Sequence, residues 1–227
     1  MQQVKLNYFI CLLWLLFHLN VARETGNAEL SIKFIQYENK DAKLADGVFC
    51  ETDFTGMRLA DCDPIFKFEV MREGGNGEAL FSYKQTDHFS RGAVFKFGTV
   101  IDNMVNPISF DVKMDDPAHI YLIVTVDDYD PSGKNKPMDI FAHMLAPSQT
   151  AQYANLVSPS TKHRLAINYR FICKTNFYGS LCNKNCVEMN DDTNGHYSCS
   201  KDGEKVGPMS KATVKSLRGA FGADADR

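Results

Sequence analysis

The residues best able to do chemistry are gathered in one short stretch. Four of the seven cysteines fall within Cys173-KTNFYGSL-Cys182-NKN-Cys186-VEMNDDTNGHYS-Cys199. Two chemistries suit such a cluster. His196 with Cys182, Cys186 and Cys199 has C-x3-C and H-x2-C spacings that tetrahedral zinc accepts. Oxidised, the same thiols pair with one another and leave nothing for a metal. The redox compartment decides between them, and the first residues bear on it. Lys5 precedes the apolar run from Tyr8 to Phe17, the pattern of a secretory signal peptide over residues 1–24, with cleavage between about Ala22 and Ala28. The run is shorter than the roughly 20 apolar residues that a membrane-spanning helix needs. On this reading Cys11 leaves with the signal, and Cys50, Cys62, Cys173, Cys182, Cys186 and Cys199 enter an oxidising compartment. Disulfides are then favoured over zinc. Spacing leaves the connectivity open, and the simplest scheme joins sequence neighbours: Cys50–Cys62, Cys173–Cys182 and Cys186–Cys199.

A second candidate is a carboxylate group. Asp127, Asp128 and Asp130 follow an apolar run and precede a Pro-Ser-Gly turn, and Asp115 and Asp116 lie in another turn. Calcium takes six to eight oxygen ligands from such loops. The competing reading, a solvated acidic loop, is favoured, so calcium is an optional ligand and no other cofactor is expected. The net charge of -3 gives no reason to expect nucleic acid as a partner. No Gly-x-Ser-x-Gly elbow, His-Glu-x-x-His helix or phosphate-cradling Gly-Lys-Ser/Thr occurs. His88, His119, His143 and His163 are scattered, without an acidic orienter visible in sequence. A binding protein is expected rather than an enzyme.

The elements that must position these residues read as all-β. From Ala28 to about Arg170, short apolar-alternating segments are separated by Gly-, Pro- and Asp-rich turns, the rhythm of a β-sandwich. "ELSIKFIQYEN" alternates through Leu30, Ile32 and Phe34 and drifts at Ile35. "IFKFEVM", "AVFKFGTVI" and "ISFDVKM" read as further strands. "HIYLIVTVDDYD" is continuously apolar from Ile120 to Val126, as in a central strand covered on both faces. "REGGNGE" reads as a hairpin loop. Pro147 to Pro159 reads as a linker with one helical turn, and "HRLAINYRFIC" as a last strand entering the cysteine cluster. The cluster is too small to bury a core, so covalent closure must substitute. A loop of about a dozen residues contributes on the order of 3 kcal/mol in the chain-entropy account.

"NFYGSLC" and "GHYSC", with the order of four cysteines, resemble the Delta/Serrate/LAG (DSL) domain of Notch ligands. Phe177, Tyr178 and Gly179 stand where that family has an aromatic pair before glycine, and Gly195, His196 and Tyr197 match its Gly-His-Tyr. Upstream, "AELSIKFIQYENKDAKLADGVFC" and "NPISFDVKMDDPAHIYLIVTVDD" are similar to the ligands' N-terminal module. The resemblance implies an all-β chain of a short, secreted, nematode-like type. It would comprise a C2-like Greek-key β-sandwich over 28–160, a small disulfide-rich DSL module over 164–206, and a tail over 207–227. It also implies binding to the EGF repeats of a Notch-type receptor, with Phe177, Tyr178, His196, Tyr197, Asp191 and Asp192 as the candidate contact residues. The sandwich loops would meet a membrane surface. Two departures stand out. Gly207 occupies the place of the family's fifth cysteine, so the module is expected to be truncated. "VEMNDDTN" is acidic and lacks the family's basic and aromatic residues. Alternatives are a secreted calcium- or lipid-binding sandwich and a soluble decoy that occupies the receptor without activating it.

Overall fold

The computed structural model describes residues 26–74, 78–90, 92–114, 119–131, 133–191, 193 and 195–207. The signal segment, Asp115, Asp116, Asp192 and the tail from 208 lie outside them. In chain order the strands begin with β1 (Ala28–Glu38), then the short pair β2 (Glu51–Thr52) and β3 (Arg58–Ala60), then β4 (Pro64–Arg72) and β5 (Ala79–Lys84). Next come β6 (Val94–Lys96), the small hairpin β7 (Val100–Ile101) and β8 (Met104–Val105), and β9 (Ile108–Val112). The long strands β10 (Ile120–Asp128) and β11 (Lys136–Met144) follow, then β12 (Gln152–Val157) and β13 (Arg164–Cys173). Five short strands follow among the described residues: β14 (Phe177–Tyr178), β15 (Lys184–Asn185), β16 (Met189–Asp191), β17 (Gly195–Cys199) and β18 (Lys205–Val206).

Two antiparallel sheets form the sandwich. One runs β12-β13-β1-β6, with β9 also paired to β1; the other runs β11-β10-β4-β5. Their inner faces meet in an aromatic core. Phe34 lies 4.3 Å from Phe68 between ring centroids, and Phe66 lies 5.2 Å from both Tyr37 and Phe97. The pattern drift at Ile35 is a β-bulge: β1 pairs with β13 in register up to Phe34 and resumes at Gln36. On the opposite edge of β1, β9 reaches Ile32 and β6 begins at Gln36. The buried Asn106 side chain fills the gap. Its Oδ1 accepts the Phe34 N–H at 2.9 Å, and its Nδ2 donates to the carbonyls of Phe34 and Gly98 at 2.8 and 2.7 Å.

Three expectations are corrected. β10 is not covered on both faces: Ile120, Leu122, Val124, Val126 and Asp128 are buried, while the residues between them are half-buried. Its outer face carries Tyr121 and Ile123, whose apolar character hid the alternation. Pro147–Pro159 is not a linker with a helical turn, because Gln152–Val157 is an edge strand on β13. An edge strand with only Ala154 and Leu156 turned inward shows little apolar periodicity. The sandwich also does not end at 160. β13 lies between β1 and β12 in its sheet, so the module begins at Cys173 rather than 164.

A buried polar knot ties the sheets. Asp139, 2% exposed, accepts the Tyr37 hydroxyl at 2.5 Å and lies 2.8 Å from His163 Nδ1, both through Oδ2, while Thr161 donates to Oδ1. This is the acidic orienter that sequence did not reveal for His163. Burial raises the Asp139 carboxyl, but the bonds from His163, Thr161 and Tyr37 outweigh it and hold it below the usual carboxylate range. Asp128, 1% exposed, is the opposite case. Burial pushes it up, and the single Asp63 N–H bond at 2.9 Å does not compensate.

The two acids therefore give opposite pH dependence. The contribution of Asp139 is full above the unfolded carboxylate pKa and is lost as pH falls through its depressed folded value. Asp128 costs stability while ionised, and this cost disappears as pH falls through its raised value. Thermal unfolding at neutral pH should show Asp139→Asn destabilised by about 3 kcal/mol, as for a broken buried pair. Asp128→Asn, which keeps an acceptor for Asp63, should unfold at least about 2 °C above the parent, the shift for about 1 kcal/mol in a chain of this size. A lowered midpoint for Asp128→Asn would refute the charge penalty.

Candidate functional site

The site region is the small module that follows β13. Among the described residues three disulfides are closed: Cys50–Cys62, Cys173–Cys182 and Cys186–Cys199, with Cα separations of 5.3, 5.1 and 6.0 Å. This is the neighbour-to-neighbour scheme. With the thiols consumed, the zinc geometry proposed for Cys182, Cys186, Cys199 and His196 is not formed. The same holds where Cys50, Cys62 and Asp128 converge with ligand atoms within 4.8 Å, since both sulfurs there belong to one disulfide.

Two small sheets build the module. β14 and β15 pair Phe177 with Asn185 and Tyr178 with Lys184. β16, β17 and β18 pair Met189 with Tyr197, Asn190 with His196, and Cys199 with Lys205. The chain reverses at Asn176, Gly179 and Cys182, all with positive φ. A turn at Ser200–Glu204 joins the two sheets. Ser200 Oγ accepts the N–H of Glu204 at 3.1 Å, and Gly203 has φ +77°. A Cβ on Gly203 would lie 2.9 Å from Lys184 Cβ and 3.0 Å from Tyr178 Cβ, so this turn rests directly on the β14–β15 pair. Lys184 and Glu204 add an ion pair at 2.7 Å, which holds the lysine up and the glutamate below its ordinary value.

The expected contact residues do not share one face. Neighbours on a strand point to opposite sides. Phe177 packs against the sandwich core with Leu181 and Cys182, whereas Tyr178 lies under the Gly203 turn. His196 is exposed, with Nδ1 2.7 Å from Asn190 Oδ1. Tyr197 is half-buried, and Lys205 Nζ stands 4.4 Å from its ring centroid. Asp191 is half-buried on β16 and accepts the Thr193 N–H at 2.9 Å. Sequence reading missed Gln149, which reaches the module from the sandwich side, and Lys174, a module residue that pairs with Asp111 of β9. No motif marks either residue.

The carboxylate group fares differently. Asp127 and Asp128 are adjacent on β10 and face opposite sides of the sheet. Among the described residues no cage of Asp127, Asp128 and Asp130 is formed. A separate exposed feature lies nearby. The Cys50–Cys62 disulfide closes a loop whose tip exposes Phe54, Met57 and Leu59, Phe54 completely. Asp53 shapes that tip by accepting bonds from the Thr55 hydroxyl and the N–H groups of Thr55 and Met57. Among the described residues no helix is long and apolar enough to cross a membrane.

A two-sheet sandwich of the C2 kind that runs directly into a small disulfide-tied module defines the class. Its fold is similar to a structure titled Drosophila C2-DSL-EGF1, at 20% identity and TM-score 0.57, covering 80% of this chain and 82% of that one. Residues 173–208 match the family model described as Delta serrate ligand. Over 44 residues the chain is 48% identical to human Delta-like protein 4, and over 43 residues 46% identical to the mouse protein. These stretches cover 19% of this chain and 6% of each relative. Through residues 173–208 the chain is similar to the Delta/Serrate/LAG family of Notch ligands.

Gly203→Ala should cost about 1–2 kcal/mol through the positive φ and the two tight Cβ contacts. Amide hydrogen exchange should show lost protection in β14, β15 and β18 while β1 and β13 keep theirs. Equal protection throughout would show that the turn is not what joins the two small sheets.

Proposed function

We propose that this chain is an extracellular ligand that binds the EGF repeats of a Notch-type receptor through its DSL module. The observation that carries the reading is the preorganised module itself. Its family match begins at Cys173, and two disulfides and an interlocking turn hold the aromatic residues of its motifs. Such rigidity lowers the ordering cost of association. Tyr178 and His196 are the contact residues that truncation can test most cleanly, since Phe177 also seals the sandwich core. Delivery is by secretion under the N-terminal signal.

The expressed chain should bind saturably to cells carrying a Notch-type receptor. Tyr178→Ala with His196→Ala should weaken that binding about tenfold or more, the scale of truncated hot spots, with unfolding midpoint retained. Saturable binding that ignores both changes would move the contact away from the module.

A second contact is favoured by the loop tip at Phe54, Met57 and Leu59. Large apolar side chains held clear of the surface suit insertion at a lipid interface. Since the three aspartates do not converge, the contact should not need calcium. Flotation with phosphatidylcholine–phosphatidylserine vesicles should recover the chain equally in calcium and in chelator, and Phe54→Ser with Met57→Ser should abolish it. Recovery only in calcium would reinstate the metal reading.

A further inference from the structure

We propose that Gln149, a residue of the sandwich, fixes the orientation of the small module, so that sandwich and module present one composite surface. Three kinds of contact join the two parts. The backbone continues from β13 into Cys173. Phe177, Leu181 and Cys182 extend the apolar core. Apolar packing is non-directional and tolerates sliding, so the angle between the parts must come from directional bonds on either flank of β13.

On the β1 side, the Lys174 N–H donates to the Asn27 carbonyl at 3.0 Å, and Lys174 Nζ pairs with Asp111 at 2.5 Å. Asn27 is itself fixed by mutual bonds with the Met114 backbone at 2.6 and 3.1 Å. On the β12 side, Gln149 Nε2 donates to the Gly179 carbonyl at 2.9 Å and lies 3.2 Å from Cys173 Sγ. Gly179 has φ +83° and directly follows the Phe177–Tyr178 strand; its carbonyl also accepts the Cys182 N–H at 3.2 Å. One bond thus holds the corner that aims both aromatics.

The loop that carries Gln149 is built to hold it. Ser148 Oγ donates to the Thr150 carbonyl at 3.0 Å, and Gln152 Nε2 donates to Ser148 Oγ at 2.9 Å and to the Thr150 carbonyl at 3.2 Å. The Ser148 carbonyl accepts the Phe171 N–H at 2.8 Å, which anchors the loop to β13 itself. Gln149 is left as the side chain that crosses to the module. It is a positioning residue, and this role stands whether or not the receptor reading holds.

The test uses the full chain with its disulfides intact and two variants. Gln149→Met keeps the length and removes the donor; Gln149→Lys keeps a donor. The rate at which limiting dithiothreitol opens Cys173–Cys182 is read by alkylation and peptide mass, with Cys186–Cys199 as internal reference. Amide 15N relaxation reports whether sandwich and module tumble together. Gln149→Met should speed opening of Cys173–Cys182 roughly fivefold against the reference, the ratio expected for one net hydrogen bond, and should give the module its own faster tumbling. Gln149→Lys should restore both toward the parent. An unchanged rate and common tumbling in Gln149→Met would overturn the proposal. Equal loss in both variants would overturn it as well, because the donor would then not be what acts. Receptor binding enters neither readout, so failure of the receptor reading is separately visible.

Discussion

β13 is paired along its length with β1, from Arg164 opposite Glu38 to Cys173 opposite Ala28, and with β12 on its other flank. Its alternate residues Leu165, Ile167, Tyr169 and Phe171 are buried in the core, and its final residue closes the first disulfide of the module. One strand is therefore both an inner member of a sheet and the stalk of the small domain. No flexible linker intervenes between the sheet and the module. A module of this size cannot bury a core of its own. It borrows one through Phe177 and Leu181 and replaces the rest with two covalent closures. Loosening β13 would cost both parts at once.

The two buried aspartates show how the same residue type serves different ends. Asp139 meets three side-chain partners, and the knot they form joins β1, β11 and the loop before β13. Among the described residues His163 Nε2 has no hydrogen-bond partner, and it is buried. The imidazole is thereby enclosed, with Nδ1 held by Asp139. Asp128 meets only one backbone N–H, beneath the disulfide that closes the Phe54 loop. Its raised pKa follows from burial with little compensation. The strand period sends Asp127 to the other face. The pleat thus separates Asp127, half-buried, from the buried Asp128, and Asp130 lies beyond the end of β10.

Much of the fold was legible because alternation and turn chemistry report directly on a half-buried sheet. Leu30, Ile32 and Phe34 marked β1, and the phase slip at Ile35 marked its bulge. The disulfide pattern was legible as the simplest pairing of neighbours. Legibility failed where environment overrode pattern. β12 is an edge strand with two modest inward residues, so its polar composition read as a linker. Tyr121 and Ile123 masked the half-buried outer face of β10. The site was legible as motifs but not as a surface. Phe177 and Tyr178 are adjacent in sequence and diverge in space, one into the core and one against Gly203. Gln149 carried no signal, since a lone glutamine in a Ser/Thr-rich loop has no pattern. Only the approach of Gly179 to that loop, a contact between residues thirty apart, gives it meaning.

The same connectivity fixes where the two exposed features lie. At one end of the sandwich, Ile120 accepts the Leu145 N–H and Ser148 accepts the Phe171 N–H, beside Cys173 and the module. At the other end, Asp128 pairs with Pro64 and Lys136, next to Cys62 and the apolar loop. The strands between them run the length of β10, nine residues, or roughly 25–30 Å at the usual rise. Each end carries a disulfide-closed loop with an aromatic residue, Phe54 in one and Tyr178 in the other. The sandwich between them is stiff because its core aromatics interlock and its central strands are paired on both edges. A body with this geometry can touch one partner with the module and another with the loop without either contact obstructing the other. The sandwich is then a spacer whose length is set by the number of residues in its strands, joined to the module at Cys173.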